Sequence, residues 1–366
     1  MDFTAPLYHP LNPGNREIRV LRIDSSPDNG DIHCSLEVVS LNSTITYQAL
    51  SYEWGDPDVG TPSGRVLLNA QEVRTTPNLR LALAHLQSGL AYWIDALCID
   101  QSDDKERGHQ VRLMTEIYRH ASAIVVWLGP EEGNSKLGMD FLNEVGAFVA
   151  ETEFEGDPGS EFSDMLYRTL SNATYKMHWD GLSQIFQRSY WSRLWVIQEL
   201  VVTPHPDEVW LLCGSSQARF TSLRMITQQI WLLSGGAPFI CDQRSLDGRI
   251  LRLRSLVKRL KGIATHVDAW GIANRGDREI GILRLLSRYY QQLCADPRDR
   301  VYALLGVSAR YSGVELPITY TIPVRDVYKN LAKYVIAGSK RLNILLEAGQ
   351  DMHSMPSRPS WVPDCR

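Results

Sequence analysis

The sequence predicts an α/β protein: a parallel sheet with N-terminal β additions and a mostly helical C-terminal region. Three observations carry that reading. The short apolar runs in "AYWIDALCIDQ" and "SAIVVWLGP" flank an amphipathic helix, and strand, helix, strand in that register is a βαβ unit with parallel strands. Ahead of it, "EIRVLRI" and "IHCSLEVVSL" read as two strands joined by a turn rich in Asp, Ser, Pro and Gly, which ends in "PDNGD". Beyond about Phe220 nearly every segment carries helical periodicity.

The elements follow in order. "YQALSYEWGD" is a further strand running into a loop, and "RVLLNAQEVRTT" a small hairpin. "PNLRLALAHLQ" starts at Pro77 and sets Leu79, Leu83 and Leu86 on one helical stripe. Tyr92 to Leu97 is expected as a buried strand with Asp95 near its C-terminal end. Asp103 and Glu106 have the spacing of a capping box. The helix after them runs to about His120, with Val111, Met114, Ile117, Tyr118 and Ala121 facing inward. From about residue 130 to 190 the pattern is helical and broken. "SRLWVIQEL" reads as one helix, and "EVWLLCG" as a strand. A boundary is expected near residue 215. It divides an N-terminal β extension (1–46) and an α/β domain (47–215, with a helical insertion about 130–190) from a helical region (216–366).

Composition narrows the classes. The chain has 366 residues, 44% hydrophobic and 22% charged, enough for a full core without staples. A net charge of −4 gives no overall pull toward nucleic acid. The six cysteines are scattered and form no C-x-x-C pair, against a zinc module or a disulfide framework. The start lacks the pattern of a secretory signal, and no apolar stretch approaches the ~20 residues needed to cross a bilayer. A cytoplasmic protein is expected.

One carboxylate stands out. Helical spacing puts Trp191, Trp195 and Glu199 on one stripe, each four residues apart. A glutamate that a core does not want is either tied to a cation, here Arg193 or Arg107, or used in chemistry.

Three blocks, "YQALSYEWGD", "YWIDALCIDQSDDKERGHQVRLMTEIYRHASAIVVWLG" and "YWSRLWVIQEL", resemble in order the three blocks of the fungal heterokaryon-incompatibility (HET) domain. "CADPRDRVYALLGV", "RDVYKNLAKYVI" and "PSWVPD" resemble segments that often follow it. HET domains in turn resemble TIR domains. "SYEWGD", Trp93-Ile94-Asp95, Arg107-Gly108, Ile124-Val125-Val126 and "SRLWVIQEL" sit where TIR domains carry their strand ends and their Glu-bearing helix. The resemblance implies a TIR/flavodoxin-like parallel sheet and a role in non-self recognition and regulated cell death, a form of innate immunity. It further implies NAD as substrate, with no cofactor and no metal, and Glu199 as the catalytic carboxylate. Tyr52, Trp54, Asp95, Arg107, Arg193 and Trp195 would then shape the pocket. Self-association into a homo-oligomer is expected, with an upstream receptor protein as a candidate partner, and no nucleic acid.

That chemistry suits these residue types. Breaking the nicotinamide–ribose bond passes through an oxocarbenium-like centre that a carboxylate stabilises. An indole can stack on a cationic ring. In an open parallel sheet the ligand crevice lies outside the carboxyl ends of the strands, where Trp54, Asp95 and the helix start at Asp103 should gather. Arg107, near that start, could meet a diphosphate. Each residue also has a plainer reading. Asp95 and Asp100 could cap loops, Trp54 could cover the core, and Cys98 could be a buried thiol rather than a nucleophile. Asp95, Asp100, Asp103, Asp104 and Glu106 could hold Mg²⁺, but capping explains enough of them. "GRILRLRSLVKRLKG" could touch an anionic membrane or RNA, or be a packed helix with a solvated face. Two rival functions stay open: a non-enzymatic death-signalling adaptor with Glu199 in a salt bridge, and a small-molecule tailoring enzyme with an apolar pocket.

Overall fold

The computed structural model describes residues 6–24, 30–55, 65–151, 158–233 and 281–344. The basic segment 248–262 and "PSWVPD" lie outside the described residues.

Among the described residues, nine strands form one mixed sheet in the order β5-β4-β2-β1-β6-β3-β7-β8-β9. β1 (Glu17–Ile23) and β2 (Ile32–Ser40) pair antiparallel, from Glu17↔Ser40 to Ile23↔Cys34. They belong to the same sheet as the rest, because β1 also pairs with β6 (Ala91–Trp93). β4 (Val66–Leu68) and β5 (Gln71–Val73) make the expected hairpin. Its turn places Asn69 and Ala70 at φ 51° and 63°, the left-handed pair that suits the twist of a two-residue hairpin.

The site stands on four parallel strands: β6, β3 (Gln48–Tyr52), β7 (Ala123–Trp127) and β8 (Val209–Cys213). Numbered by their place in the chain, their spatial order is second, first, third, fourth, so the order reverses between β3 and β7. Every residue of β7 is buried, as a strand covered on both faces requires, so it reads as an unbroken apolar run.

The helices cover this sheet. α1 is Pro77–His85 and starts on the Thr76 hydroxyl, which accepts from the Leu79 amide (3.3 Å). α2 is Asp95–Cys98 and α3 is Asp104–His120. All five residues expected on the inner face of α3 are buried. α4 (Ser135–Glu151), α5 (Pro158–Ser171) and α6 (Lys176–Phe186) make up the stretch before α7 (Trp195–Val201). α4 and α6 cross at two glycines: a Cβ on Gly138 would stand 2.5 Å from the Gly181 carbonyl carbon. α8 is Phe220–Leu233, and among the described residues beyond it are α9 (Ile282–Arg288), α10 (Asp299–Leu305) and α11 (Val324–Ser339). α10 packs on α7 and α9, so a single apolar cluster runs from the sheet into these helices.

Four local expectations change. The strand expected over Tyr92 to Leu97 stops at Trp93, because the Ile94 carbonyl takes up the Cys98 amide (2.8 Å) and α2 begins. Glu106 does not reach back to its cap residue. Asp103 caps Lys105 and Glu106, while the Glu106 carboxylate binds Arg19 and the Asp100 amide. "SRLWVIQEL" is not one helix. A 3-10 turn covers Ser189–Ser192, Arg193 is extended, and α7 starts at Trp195. The break is held by a bridge to a distant strand-like segment: Leu194 N donates to Leu293 O (2.8 Å) and Leu293 N to Ser192 O (2.7 Å). Finally, beyond residue 215, β9 (Ser216–Arg219) extends the sheet against β8.

Candidate functional site: a carboxylate network at the strand ends

The carboxyl ends of the parallel strands bring several polar side chains together. β3 ends on Ser51 and Tyr52, and the loop after it carries Trp54. Asp95 opens α2 just past β6. Glu199 enters from α7, and Arg193 from the extended link ahead of it.

Glu199 is 1% exposed, and both of its oxygens are engaged. Arg193 Nη2 donates to Oε1 at 3.0 Å and Nη1 to Oε2 at 3.2 Å, a two-pronged guanidinium–carboxylate pair. The Ser51 hydroxyl donates to Oε2 as well. Ser51 Oγ also lies 2.6 Å from the hydroxyl of Tyr190, whose ring lies 5.6 Å from the Arg193 guanidinium. Burial, opposed by the adjacent Glu199, sets the state of the guanidinium: the carboxylate wins, and Arg193 is held above its ordinary pKa.

Asp95 is the half-buried carboxyl of the group. Burial, then the nearby Glu199 charge, push its pKa up to about 6. Its Oδ2 accepts from the indole N–H of Trp54 at 2.9 Å. Trp54 is 42% exposed, so this pair forms the open side of the network. Tyr52 is buried, and burial together with Asp95 raises its phenol well above the ordinary value.

The segment from Arg188 to Arg193 lies across the point where the strand order reverses, between β3 and β7. Arg188 Nη2 donates to Pro130 O (2.9 Å) in the loop after β7. Ser189 donates to Glu53 in the loop after β3. Tyr190 meets Ser51 on β3 itself. In open α/β sheets ligands bind at this reversal, which here is spanned by the side chains of Arg188, Ser189 and Tyr190.

Residues 47–199 match the family model described as "Heterokaryon incompatibility protein (HET)". The chain is also similar to "Heterokaryon incompatibility protein 6, OR allele" of Neurospora crassa, 30% identical over 411 aligned residues, covering 97% of this chain and 58% of that protein. The chain therefore spans somewhat over half the length of the curated relative it matches. No solved structure matches.

The HET match encloses the whole network, from Ser51 to Glu199. Two of the expected pocket residues, although inside the matched range, reach Tyr320 and Asp299 beyond it. Arg107 does not reach the crevice. Nη2 binds Asp104 Oδ1 at 2.8 Å, and the guanidinium lies 3.9 Å from the centre of the Tyr320 ring. The Trp195 indole leaves the Glu199 stripe and donates to Asp299 Oδ2 at 3.2 Å. Tyr320 donates to the other oxygen of Asp299 at 2.6 Å. Burial pushes the Asp299 pKa up to about 6. Trp191 is buried and donates to Ile185 O, so the expected stripe of three divides among three environments.

The remaining candidates have local partners. The Cys98 thiol is buried, accepts from the Ile94 amide at 3.3 Å, and is pushed up to about 12 by burial. Asp100 binds Ser102, Asp103 caps α3, Asp104 pairs with Arg107, and Glu106 with Arg19. Sequence reasoning passed over Ser51, Tyr190, Asp299 and Tyr320. Ser51 sits inside the quoted "SYEWGD" block and Asp299 inside "CADPRDR", so block membership was the available signal.

Proposed function

We propose that this chain serves fungal non-self recognition and regulated cell death as a HET-domain adaptor, acting through protein–protein contacts rather than by turning over a nucleotide. The name of its Neurospora relative and the HET match support the biological role. One observation favours the adaptor: Glu199, the carboxylate that TIR-like hydrolysis would need, is 1% exposed and doubly bound to Arg193. A carboxylate in that state lacks the access to stabilise a ribosyl cation, and its charge is already offset by the guanidinium. The order of the four parallel strands supports a TIR-like reading of the domain, and TIR-like scaffolds also suit a homo-oligomer.

A second reading is NAD glycohydrolysis. It is favoured by Asp95 and Trp54, a carboxyl of raised pKa beside an exposed indole at the strand ends. Incubation of purified protein with NAD separates the two. The adaptor reading expects no nicotinamide release at high protein concentration or under crowding, in the wild type or in Glu199→Gln. Release by the wild type that Glu199→Gln abolishes would establish the hydrolase instead. Among the described residues no helix is long and apolar enough to cross a membrane.

A further inference from the structure

A groove runs along the far side of α7 from the carboxylate network. It has two connected parts that share Thr115, Gly306 and Arg310. The first is a pocket of about 230 Å³ between α3, α10, α11 and the segment 310–318, with Val111, Leu316, Ile318 and Tyr302 among its walls. The second, about 550 Å³, is open along α3 toward Val202 and Pro204. Gln198, next to Glu199 in the chain, bonds Thr115 Oγ1 at the junction (2.8 Å).

Three arginines line this groove: Arg112, Arg119 and Arg310. All three are exposed, and none makes a hydrogen bond or ion pair with a described residue. The acidic side chains of the groove are Glu116, which is paired to Arg16, and Glu315, which is exposed. The balance is therefore positive, on a surface of a chain whose net charge is −4. Arg112 and Arg119 are seven residues apart on one helix, about 10 Å along its axis. That distance is roughly three residues of an extended chain.

We infer that this groove docks an acidic, extended segment of a partner protein, with one apolar side chain in the pocket and carboxylates on Arg112, Arg119 and Arg310. The pocket favours this occupant by size. At about 230 Å³ it is smaller than the ~300–1,000 Å³ usual for a small-molecule site, yet it suits one leucine- or tyrosine-sized anchor. The open part beside it has room for main chain and the charge to select it. The inference rests on the adaptor reading and gives it a partner chemistry.

The test is fluorescence anisotropy with a short fluorescein-labelled peptide alternating glutamate and leucine. The peptide should bind the full chain, and binding should weaken as salt rises. Arg112→Ala with Arg310→Ala should weaken it about tenfold, while circular dichroism shows the fold intact, because both residues are exposed. Charge reversal, Arg112→Glu with Arg310→Glu, should abolish it and admit the peptide with lysine in place of glutamate. Four results would overturn the inference: no binding by wild type, equal binding of the acidic and lysine peptides, unchanged binding by the double variants, or displacement by inorganic pyrophosphate as effective as by the peptide. Nicotinamide release would sink the adaptor reading while leaving a measured peptide affinity in place. Failure of the peptide to bind would remove the groove and leave the nicotinamide result standing.

Discussion

The Arg193–Glu199 pair gives the sharpest prediction, because a structural carboxylate and a catalytic one respond oppositely to removal. Arg193 is 15% exposed and Glu199 2% exposed by side chain, so little water reaches either ion. Breaking one partner of such a pair costs about 3–5 kcal/mol, because the other charge stays buried without compensation. Glu199→Gln leaves Arg193 with the Asp95 charge and the Tyr190 ring nearby, so its loss should sit at about 3 kcal/mol. Arg193→Met strands Glu199 with the Ser51 hydroxyl as its remaining donor, and should fall toward ~5 kcal/mol. The double variant removes both charges and should lose less than the sum of the singles by a few kcal/mol, roughly the coupling expected of a buried pair. Urea unfolding followed by tryptophan fluorescence reads all four proteins. A glutamate kept for catalysis would behave differently: its replacement leaves stability level or raises it while activity vanishes. Single variants within ~0.5 kcal/mol of wild type, or strictly additive losses, would refute the structural assignment.

Three further outcomes follow from the same geometry. Asp95 titrates near 6 in the folded protein, against about 3.9 in an unfolded chain, so the folded state holds a proton that the unfolded state has already released. Its contribution is greatest below about pH 4 and is lost as pH rises toward about 6; Asp95→Asn, which keeps the acceptor for Trp54, should flatten the fall of the thermal midpoint across that window. Tyr320→Phe deletes the 2.6 Å bond to Asp299 and should lower the urea midpoint by the equivalent of about 1–2 kcal/mol, with faster hydrogen exchange of the Leu194 amide; unchanged exchange would show that Asp299 does not steady the link before α7. Gly181→Ala drives a methyl into the Asn134 carbonyl at the α4–α6 crossing and should cost about 1–3 kcal/mol, whereas equal stability would mean that the two helices part without strain.

Local pattern decided much of the architecture. The short apolar-rich run "EIRVLRI" bounded by turn residues, the β-branched run in "SAIVVWLGP" and the inward stripe of α3 are set by neighbours within a few residues, so β1, β7 and α3 were legible in the chain itself. The same holds for part of the site. Trp54, Asp95, Arg193 and Glu199 do meet at the strand ends, because the order of the parallel strands carries the loops after β3 and β6 there. What the chain alone could not decide was set by partners far away in sequence. Leu293 breaks the expected helix at Arg193, Asp299 draws Trp195 away from the stripe, and Tyr320 takes Arg107. Periodicity reports only which face of an element is apolar; which distant group fills the space beside that face is a matter of packing. The sequence thus determined that a carboxylate and a guanidinium stand at the rim of a parallel sheet. Only the folded chain determined that they neutralise each other there, since burial makes that pairing far more favourable than leaving either charge alone.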